Sequence, residues 1–229
     1  ADGVADAVRA AARAGLGVRV AGSGHSFTPL VATDGMLLHV DGLSGVIGVD
    51  RERNRVRVLA GTPLHVLNPA LQRLGLALPN LGDVDRQTIS GAIATGTHGT
   101  GTRRQGIAAA VTGLTLVLAD GSTLECSRDV QPDVFAAAAV GLGALGVVTE
   151  VELACVPAYR LHAKESSEAL SDLLPRLQAE ADTHDHLDLH WFPHTDRVLV
   201  KRNDVVGPQQ GPPPLAPWRA RLDDDLLAN

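Results

Sequence analysis

Residues 21–27 read AGSGHSF and follow a short apolar run, residues 18–21, that predicts a strand. Gly22 and Gly24 of this stretch can adopt positive φ angles and leave the backbone N–H groups around them exposed. Consecutive exposed N–H groups form an anion-binding nest that suits a pyrophosphate. The stretch departs from the dinucleotide fingerprint GxGxxG, because Phe27 stands where the third glycine would be and no helix is predicted to follow. A tight turn between a strand and a loop is the alternative interpretation.

His25 is the unusual residue of this turn. A histidine in a short glycine-rich loop rarely fills a core. It is either a structural or surface residue that is satisfied by hydrogen bonds, or a nucleophile or cofactor ligand, because imidazole is nucleophilic near neutral pH. Spacing alone leaves both interpretations open.

Two further glycine-rich segments follow. Residues 88–101 read TISGAIATGTHGTG, in which small residues let the backbone approach a ligand and hydroxyl and N–H groups supply donors. Such a run suits the phosphates and ribityl chain of a flavin, although a structural loop has the same composition and His98 alone could be a structural histidine. Residues 140–151 read VGLGALGVVTEV, which in isolation is typical of an ordinary turn between a helix and a strand.

The rest of the chain predicts mixed α and β structure. Apolar residues at helical spacing predict helices over residues 4–14, 64–74, 132–140 and 167–180. Apolar runs and alternation predict strands over residues 36–40, 46–50, 55–59, 111–119, 122–127, 147–156, 187–192 and 197–202. A charged turn at residues 51–54 and an Asp-Gly pair at 120–121 predict hairpins, which argue against a purely parallel sheet. The predicted fold class is therefore α+β.

Composition narrows the classes of partner. Hydrophobic residues make up 45% of the chain and aromatic residues only 3%, so a core of Ala, Val and Leu with backbone-dominated ligand recognition is expected. The net charge is −6 and no cluster of Lys and Arg occurs, which argues against nucleic acid as a partner. No run approaches the roughly 20 apolar residues of a membrane span and no signal peptide opens the chain, so we expect no membrane span and a cytoplasmic location.

The cysteines and histidines do not have the spacing of a metal site. Cys126 and Cys155 lack a neighbouring cysteine, so two small buried thiols are expected rather than a disulfide or zinc ligands. Four histidines lie close together later in the chain, and we interpret them as a solvated polar face: His184, His186, His190 and His194. The order of residues typical of a Ser/His/Asp triad is also absent from the sequence.

Composition changes at Pro157, beyond which the chain is more polar and richer in histidine. We therefore predict one domain over residues 1–156 and a second over residues 157–229. Five Pro and two Gly within residues 207–217 predict an extended loop or linker. The second domain is expected to be only the beginning of a longer one.

Three segments occur in a characteristic order: GSGHSF at residues 22–27, GDVDRQTISGAIATGTHGTG at 82–101 and LGALGVVTEV at 142–151. Together they resemble the vanillyl-alcohol-oxidase-type (VAO/PCMH-type) FAD-binding family, and within it the aldonolactone and alditol oxidases. The resemblance covers about residues 1–203, and HWFPHTDRV at 190–198 is similar to the opening of that family's substrate domain. It implies a two-subdomain FAD-binding fold, lacking its first strand before Ala1, followed by the start of an α+β substrate domain.

The resemblance also implies a set of FAD-binding residues. The pyrophosphate would be cradled by Val20, Ala21, Gly22, Ser23, Gly24, His25 and Ser26. His25 would be bonded covalently to the flavin 8α-methyl. The ribityl chain and isoalloxazine would be lined by Thr88, Ser90, Ala92, Gly96, Thr97, His98 and Gly99. The adenine side would be closed by Gly141, Gly146 and Val148.

The implied chemistry is hydride transfer from the carbinol C–H of a small polyol or aldono-1,4-lactone to flavin N5. Dioxygen would then reoxidise the flavin and yield hydrogen peroxide. Two alternatives stay open: a dehydrogenase of the same fold that uses another electron acceptor, and a truncated flavin-binding module without catalysis. In this family the substrate-binding and catalytic groups lie beyond the last residue of this chain, so the sequence assigns no catalytic residue.

Overall fold

The helices and strands fall into two units, Ala1–Ala158 and Tyr159–Asn229. The computed structural model describes residues 2–207. The division after Ala158 lies next to Pro157, at which the composition of the sequence changes. Apart from Gly207, the loop predicted over residues 207–217 lies outside the described residues.

The bounds of the regular elements are as follows. The described helices are α1 (Asp2–Arg13), α2 (Leu64–Arg73), α3 (Ile89–Ala94), α4 (Pro132–Ala139), α5 (Leu170–Leu173) and α6 (Leu177–Thr183). The described strands are β1 (Val18–Ala21), β2 (Met36–His39), β3 (Val46–Asp50), β4 (Arg55–Leu59), β5 (Leu76–Ala77), β6 (Val111–Val117), β7 (Thr123–Ser127), β8 (Val147–Ala154), β9 (Val156–Pro157), β10 (Arg160–Ala169), β11 (His186–Trp191) and β12 (Arg197–Val206). Short 3-10 turns cover Pro29–Val31, Ile107–Ala110 and Leu174–Arg176.

The first unit opens with α1 and a parallel pair of strands. The helix buries Ala5, Val8 and Ala11, whose spacing puts them on one face. Gly15, at φ +69°, follows the helix in the left-handed region that favours glycine. Strands β1 and β2 pair in parallel, so the chain between them must cross back over the ends of the strands. That crossing carries the loop that contains His25.

A five-stranded antiparallel sheet forms the rest of the first unit, in the order β3-β4-β8-β6-β7. Both predicted hairpins are confirmed, β3 with β4 and β6 with β7. Their turns use residues that tolerate positive φ, Asn54 at +51° and Gly121 at +77°. The central strand β8 alternates buried and half-buried residues along its length, as a strand covered mainly on one face does.

Helices α2, α3 and α4 contribute to the core on that face of the sheet. The fully buried side chains there include Leu67 of α2, Ile89 of α3 and Leu153 of β8. Burial of one such side chain stabilises the fold by about 1.5–3 kcal/mol. Helix α3 was not predicted as a helix, because Gly91 and Ser90 give residues 88–95 the composition of a loop.

The second unit corrects one sequence prediction. The helix predicted over residues 167–180 is wrong over its first part, because Arg160–Ala169 is a strand that pairs with β12 over its whole length. The helical part begins at Leu170 and is divided by a 3-10 turn, since Pro175 lacks the N–H that would continue the helix. The sheet order is β10-β12-β11, and Leu173 of α5 packs on Val198 and Val200.

Arg202 joins β12 to the neighbouring elements of this unit. Its side chain is 8% exposed and donates to Glu180 Oε2 at 2.6 Å and to Glu168 Oε1 at 2.9 Å. Ser166 Oγ donates to Glu168 at 2.6 Å, and Arg176 forms ion pairs with both carboxylates. The hydrogen bonds from Ser166 and Arg202 lower the pKa of Glu168 to about 2.

Two predictions about single residues have different outcomes. Cys126 and Cys155 are free and buried, as predicted, and burial raises the pKa of the Cys155 thiol to about 11. The prediction that His186 belongs to a solvated polar face is wrong, because it is only 7% exposed on β11.

Within residues 2–207 every helix is too short or too polar to cross a membrane.

Candidate cofactor site

The three glycine-rich segments meet at one cavity of about 240 Å³ in the first unit. It is lined by parts of residues 20–31, 87–95 and 138–148. The predicted site residues that line it are Val20, Ala21, Gly22, Ser23, Gly24, His25, Ser26, Thr88, Ser90, Gly146 and Val148. The predicted site residues that do not line it are Ala92, Gly96, Thr97, His98, Gly99 and Gly141.

The loop after β1 exposes a row of hydrogen-bond donors. Among the described residues, no acceptor takes a hydrogen bond from the backbone N–H groups of residues 23–27. Gly24 turns the loop at φ +73°, whereas Gly22 stays outside the positive-φ region, contrary to the expectation that both glycines use it. Successive backbone N–H groups without a protein acceptor suit an anion with several oxygens, such as a pyrophosphate. The residues present therefore fit the group that the sequence implied.

Gly22 brings the first segment against the second. A Cβ added at Gly22 would clash with Thr88 Oγ1 and stand 3.5 Å from Thr88 Cβ. That Oγ1 accepts a hydrogen bond from Gly91 N–H at 3.2 Å, which caps the start of α3. Thr88 is 1% exposed, so its side chain is fixed by packing as well as by the cap.

The third segment approaches the cavity through its turn. Gly143 at φ +73° and Gly146 at φ +150° form this turn, and a Cβ on Gly146 would lie 2.6 Å from Val117 O of β6. Gly141 packs closely on α4, since a Cβ there would lie 2.6 Å from Ala137 O.

Residues 96–99 support the cavity from behind. Thr97 Oγ1 accepts a hydrogen bond from Gln87 Nε2 at 2.9 Å, and Gln87 itself lines the cavity. The His98 ring Nδ1 lies 2.9 Å from Gly99 O, which is a local contact. Gly99 packs so closely on residues 80–81 that an added Cβ would stand 2.5 Å from Asn80 Oδ1. Ala92 is fully buried in the main core.

Sequence reasoning missed several lining residues. From α3 and its approach these are Gln87, Gly91, Ile93, Ala94 and Thr95. From the other two segments they are Phe27, Thr28, Leu30, Val31, Ala138, Leu142 and Gly143. One of these residues could have been found from the sequence. Phe27 occupies the position at which the dinucleotide fingerprint requires glycine, which marks it as unusual.

Charged side chains are absent from the described lining of this cavity. Its polar lining consists of backbone groups, the imidazole of His25, the amide of Gln87 and the hydroxyls of serines and threonines. No group of three His, Cys, Asp or Glu side chains within residues 2–207 is placed to hold a metal.

A larger cavity, about 520 Å³, lies on the other face of the five-stranded sheet. Four of its charged groups are paired across strands, Arg55 with Glu152 at 3.1 Å and Arg57 with Glu150 at 3.5 Å. None of the predicted site residues lines it. The smaller cavity is the candidate site, because it gathers the three segments and the donors.

Comparison with known families bears directly on this site. The family model described as "FAD binding domain" matches residues 1–127, which include the first two glycine-rich segments. The chain belongs to the FAD-binding domain family. FAD as the cofactor is thereby confirmed, whereas the covalent bond to His25 stays a prediction. The model described as "D-arabinono-1,4-lactone oxidase" matches residues 151–229.

Individual relatives of this FAD-binding domain agree with that assignment. L-gulono-1,4-lactone dehydrogenase of Mycobacterium tuberculosis is 41% identical over 223 residues, which cover 97% of this chain and 51% of the relative. L-gulonolactone oxidase of Mus musculus is 41% identical over 187 residues, 82% of this chain and 42% of the relative. The chain thus spans about half the length of the relatives it matches. The resemblance to the aldonolactone oxidase group is confirmed.

The fold of the domain also has a solved counterpart. Cholesterol oxidase from B. sterolicum matches with a TM-score of 0.81 at 18% identity, over 99% of this chain and 50% of that chain. The prediction of an α+β fold of the VAO/PCMH type is confirmed by this likeness.

Proposed function

We propose that the chain holds FAD in the cavity of the three segments, bonded to His25, as the flavin-binding part of an oxidoreductase acting on an aldono-1,4-lactone or a sugar alcohol. The observation that carries the proposal is the row of five backbone N–H groups, residues 23–27, which lack acceptors among the described residues and surround His25. The family and its named relatives supply the substrate class.

The pyrophosphate would bind to the loop rather than to charged side chains. The N–H groups of residues 23–27 provide donors within one turn, and Gly24 has open space where a side chain would otherwise stand. Oriented backbone dipoles of this kind require little reorganisation when an anion binds. Binding is therefore expected to depend weakly on ionic strength compared with a site made of lysines and arginines.

His25 has the freedom that a covalent tether requires. The imidazole lines the cavity, and neither ring nitrogen has a hydrogen-bond partner among the described residues. The tether would join one imidazole nitrogen to the 8α carbon of the flavin. One C–H proton and the imidazole N–H proton are lost, and the two electrons reduce the isoalloxazine, which dioxygen or another acceptor then reoxidises.

Bound FAD would accept a hydride from the substrate carbinol and would pass the electrons on to an acceptor. The part of the described residues is to hold the pyrophosphate, to anchor the ring system through His25 and to keep charged groups away from the cavity. Dioxygen is proposed as the acceptor, by analogy with relatives named oxidases. A dehydrogenase with a different acceptor is the second candidate, because one similar relative is named a dehydrogenase.

Acid precipitation tests the tether. The chain is expressed with FAD, precipitated with trichloroacetic acid and run on a denaturing gel under ultraviolet light. Flavin is expected to stay with the wild-type protein, and His25→Ala is expected to release all of it while still binding FAD in its native state. Complete release from the wild type would refute the tether, and absence of any bound flavin would refute the site.

Reoxidation distinguishes the two acceptors. A protein that contains this chain and is as long as the matched relatives is reduced anaerobically with an aldono-1,4-lactone. It is then mixed with air-saturated buffer or with cytochrome c. Rapid reoxidation by air with release of peroxide is expected for an oxidase. Rapid reoxidation by cytochrome c and slow reoxidation by air would instead establish the dehydrogenase.

A further inference from the structure

Phe27 has an unusual conformation for a large apolar residue. Its φ is +51°, in the left-handed region, and its side chain is 87% exposed. The left-handed region costs a residue with a Cβ about 1–2 kcal/mol, and glycine would avoid that cost. Exposure means that packing in the described part of the chain does not offset it. A phenylalanine at this position therefore requires an explanation other than core filling.

The ring of Phe27 contacts the ring of His25. The two centroids are 5.8 Å apart and the planes meet at 85°, which is an edge-to-face arrangement. The positive φ at Phe27 reverses the chain after Ser26, so that the side chains of residues 25 and 27 come together.

The His25 imidazole has this ring contact and lacks a hydrogen-bond partner among the described residues. No described residue accepts from or donates to either imidazole nitrogen, so hydrogen bonds to this part of the chain do not set the ring plane. A nucleophile must be held close to the reactive geometry, and loss of that alignment slows the step by about 10²-fold for a displacement near 1 Å. The ring of Phe27, 5.8 Å away between centroids, is the aromatic neighbour that could limit its rotation.

We propose that Phe27 is a positioning residue, whose ring holds the His25 imidazole in the orientation needed to form its bond to the flavin. The inference rests on the proposed tether at His25. The left-handed backbone at Phe27 is retained because it places the ring against the imidazole, and the exposed face of the ring is left open to the cavity that both residues line.

Leu142 shows that the cavity contains a second residue of this kind. It also has a positive φ, +52°, and is 50% exposed on the third segment. Strained backbone tends to collect at functional sites, where the surrounding structure maintains it. The ring of Phe27 contacts the His25 imidazole, so the positioning role is assigned to Phe27.

The rate of attachment tests the proposal. Wild type, Phe27→Leu, Phe27→Tyr and Phe27→Gly are prepared without flavin from a riboflavin-limited host and mixed with FAD. Flavin that stays with acid-precipitated protein is followed over time at several FAD concentrations. For Phe27→Leu and Phe27→Gly, the limiting rate is expected to fall by about tenfold or more. The FAD concentration at half-maximal rate should be unchanged, and Phe27→Tyr should restore the rate.

Two variants serve as controls. Gln131→Gly replaces another non-glycine residue that has a positive φ, +52°, outside the cavity, and Leu16→Ala shortens an exposed apolar residue that does not line the cavity. Both are expected to attach flavin at the wild-type rate.

The outcomes separate the two proposals. If the wild type never forms the bond, the tether and the positioning role both fail. If the wild type forms it and Phe27→Leu does so at the same rate, only the positioning role fails. Loss of FAD binding in both Phe27→Leu and Phe27→Gly would also overturn the positioning role, since Phe27 would then be a binding residue. Unfolding of Phe27→Gly, read from its circular dichroism, would do so too, because it would show a structural role.

Discussion

Gly22 packs directly on the hydroxyl of Thr88, with no room for a methyl group between them. Gly22 belongs to the loop that carries His25, and Thr88 caps the start of α3 through Gly91 N–H. The two residues therefore fasten the anion-binding loop to the core helix beside it. This contact also explains why residue 22 is a glycine although its φ is not positive, because the backbone must approach Thr88 closely.

Gly22→Ala should lower the free energy of unfolding by about 1–3 kcal/mol, because the new methyl group overpacks a buried site. Its affinity for FAD should fall as well, since the loop must move away from Thr88. Gly17→Ala is the control, because a Cβ there meets nothing within 4 Å. Combining Gly22→Ala with Thr88→Ala should recover part of the loss in urea unfolding; strictly additive effects would contradict the contact.

Gly99→Ala should destabilise the fold by about 1–3 kcal/mol, because its Cβ would press on Leu81 O and Asn80 Oδ1. Gly99 and the residues it packs on do not line the cavity, so the folded variant should bind FAD with nearly unchanged affinity. The measurements are thermal unfolding and FAD titration, with Gly42→Ala as the control. A loss of affinity at unchanged stability would show that Gly99 contacts the cofactor, as the family resemblance implied.

Acid should remove a contribution of Glu168 to stability. The folded pKa of about 2 lies below the ordinary value of 4.5, so the folded protein binds fewer protons than the unfolded chain between those values. The stabilisation is complete above about pH 4.5 and is lost as the pH falls toward 2. Glu168→Gln should cost about 1–3 kcal/mol at pH 7 and progressively less below pH 4.5.

Urea unfolding at pH 7 and pH 3 measures this effect. The control is Asp188→Asn, which removes a carboxylate on β11 that has no ion pair with a described residue. The difference in free energy of unfolding between this control variant and the wild type should change little between pH 7 and pH 3. An equal cost of Glu168→Gln at both pH values would contradict the role of the Arg202 cluster.

The two cysteines should be unreactive in the folded protein. Both thiols are buried, and burial raises their pKa values, that of Cys155 to about 11. The thiolate is the reactive form, so a disulfide reagent at pH 8 should label almost none of the native chain. Adding denaturant should release two reactive thiols per chain. Stoichiometric labelling of native protein within minutes would show that a thiol is accessible.

Local turn chemistry made part of the fold predictable from the sequence. The β3–β4 hairpin was predicted with the bounds that the structure shows, since its charged turn ends at Asn54, a residue that tolerates positive φ. The loop of His25 and the turn before β8 were likewise predicted from their glycines. Eleven of the predicted site residues line one cavity because their segments follow β1, start α3 and precede β8.

Other features depended on contacts that are distant in the sequence. Residues 167–169 have the spacing of a helix, yet they are strand because β12, nearly thirty positions later, supplies their partners. The close packing of Gly99 on Asn80 was not foreseen, because Asn80 lies in a different segment. A local pattern describes which conformation a segment tolerates, and tertiary pairing decides between tolerated conformations.

Strand β8 enters the sheet between β4 and β6, two strands that are formed much earlier in the chain. The turn of the third segment leads straight into β8, so the cavity is incomplete until this strand has inserted. Contacts between such distant parts of a chain form slowly, because a long loop must close first. We therefore expect FAD to bind late in folding, so that a change in flavin fluorescence during refolding would report when β8 has inserted.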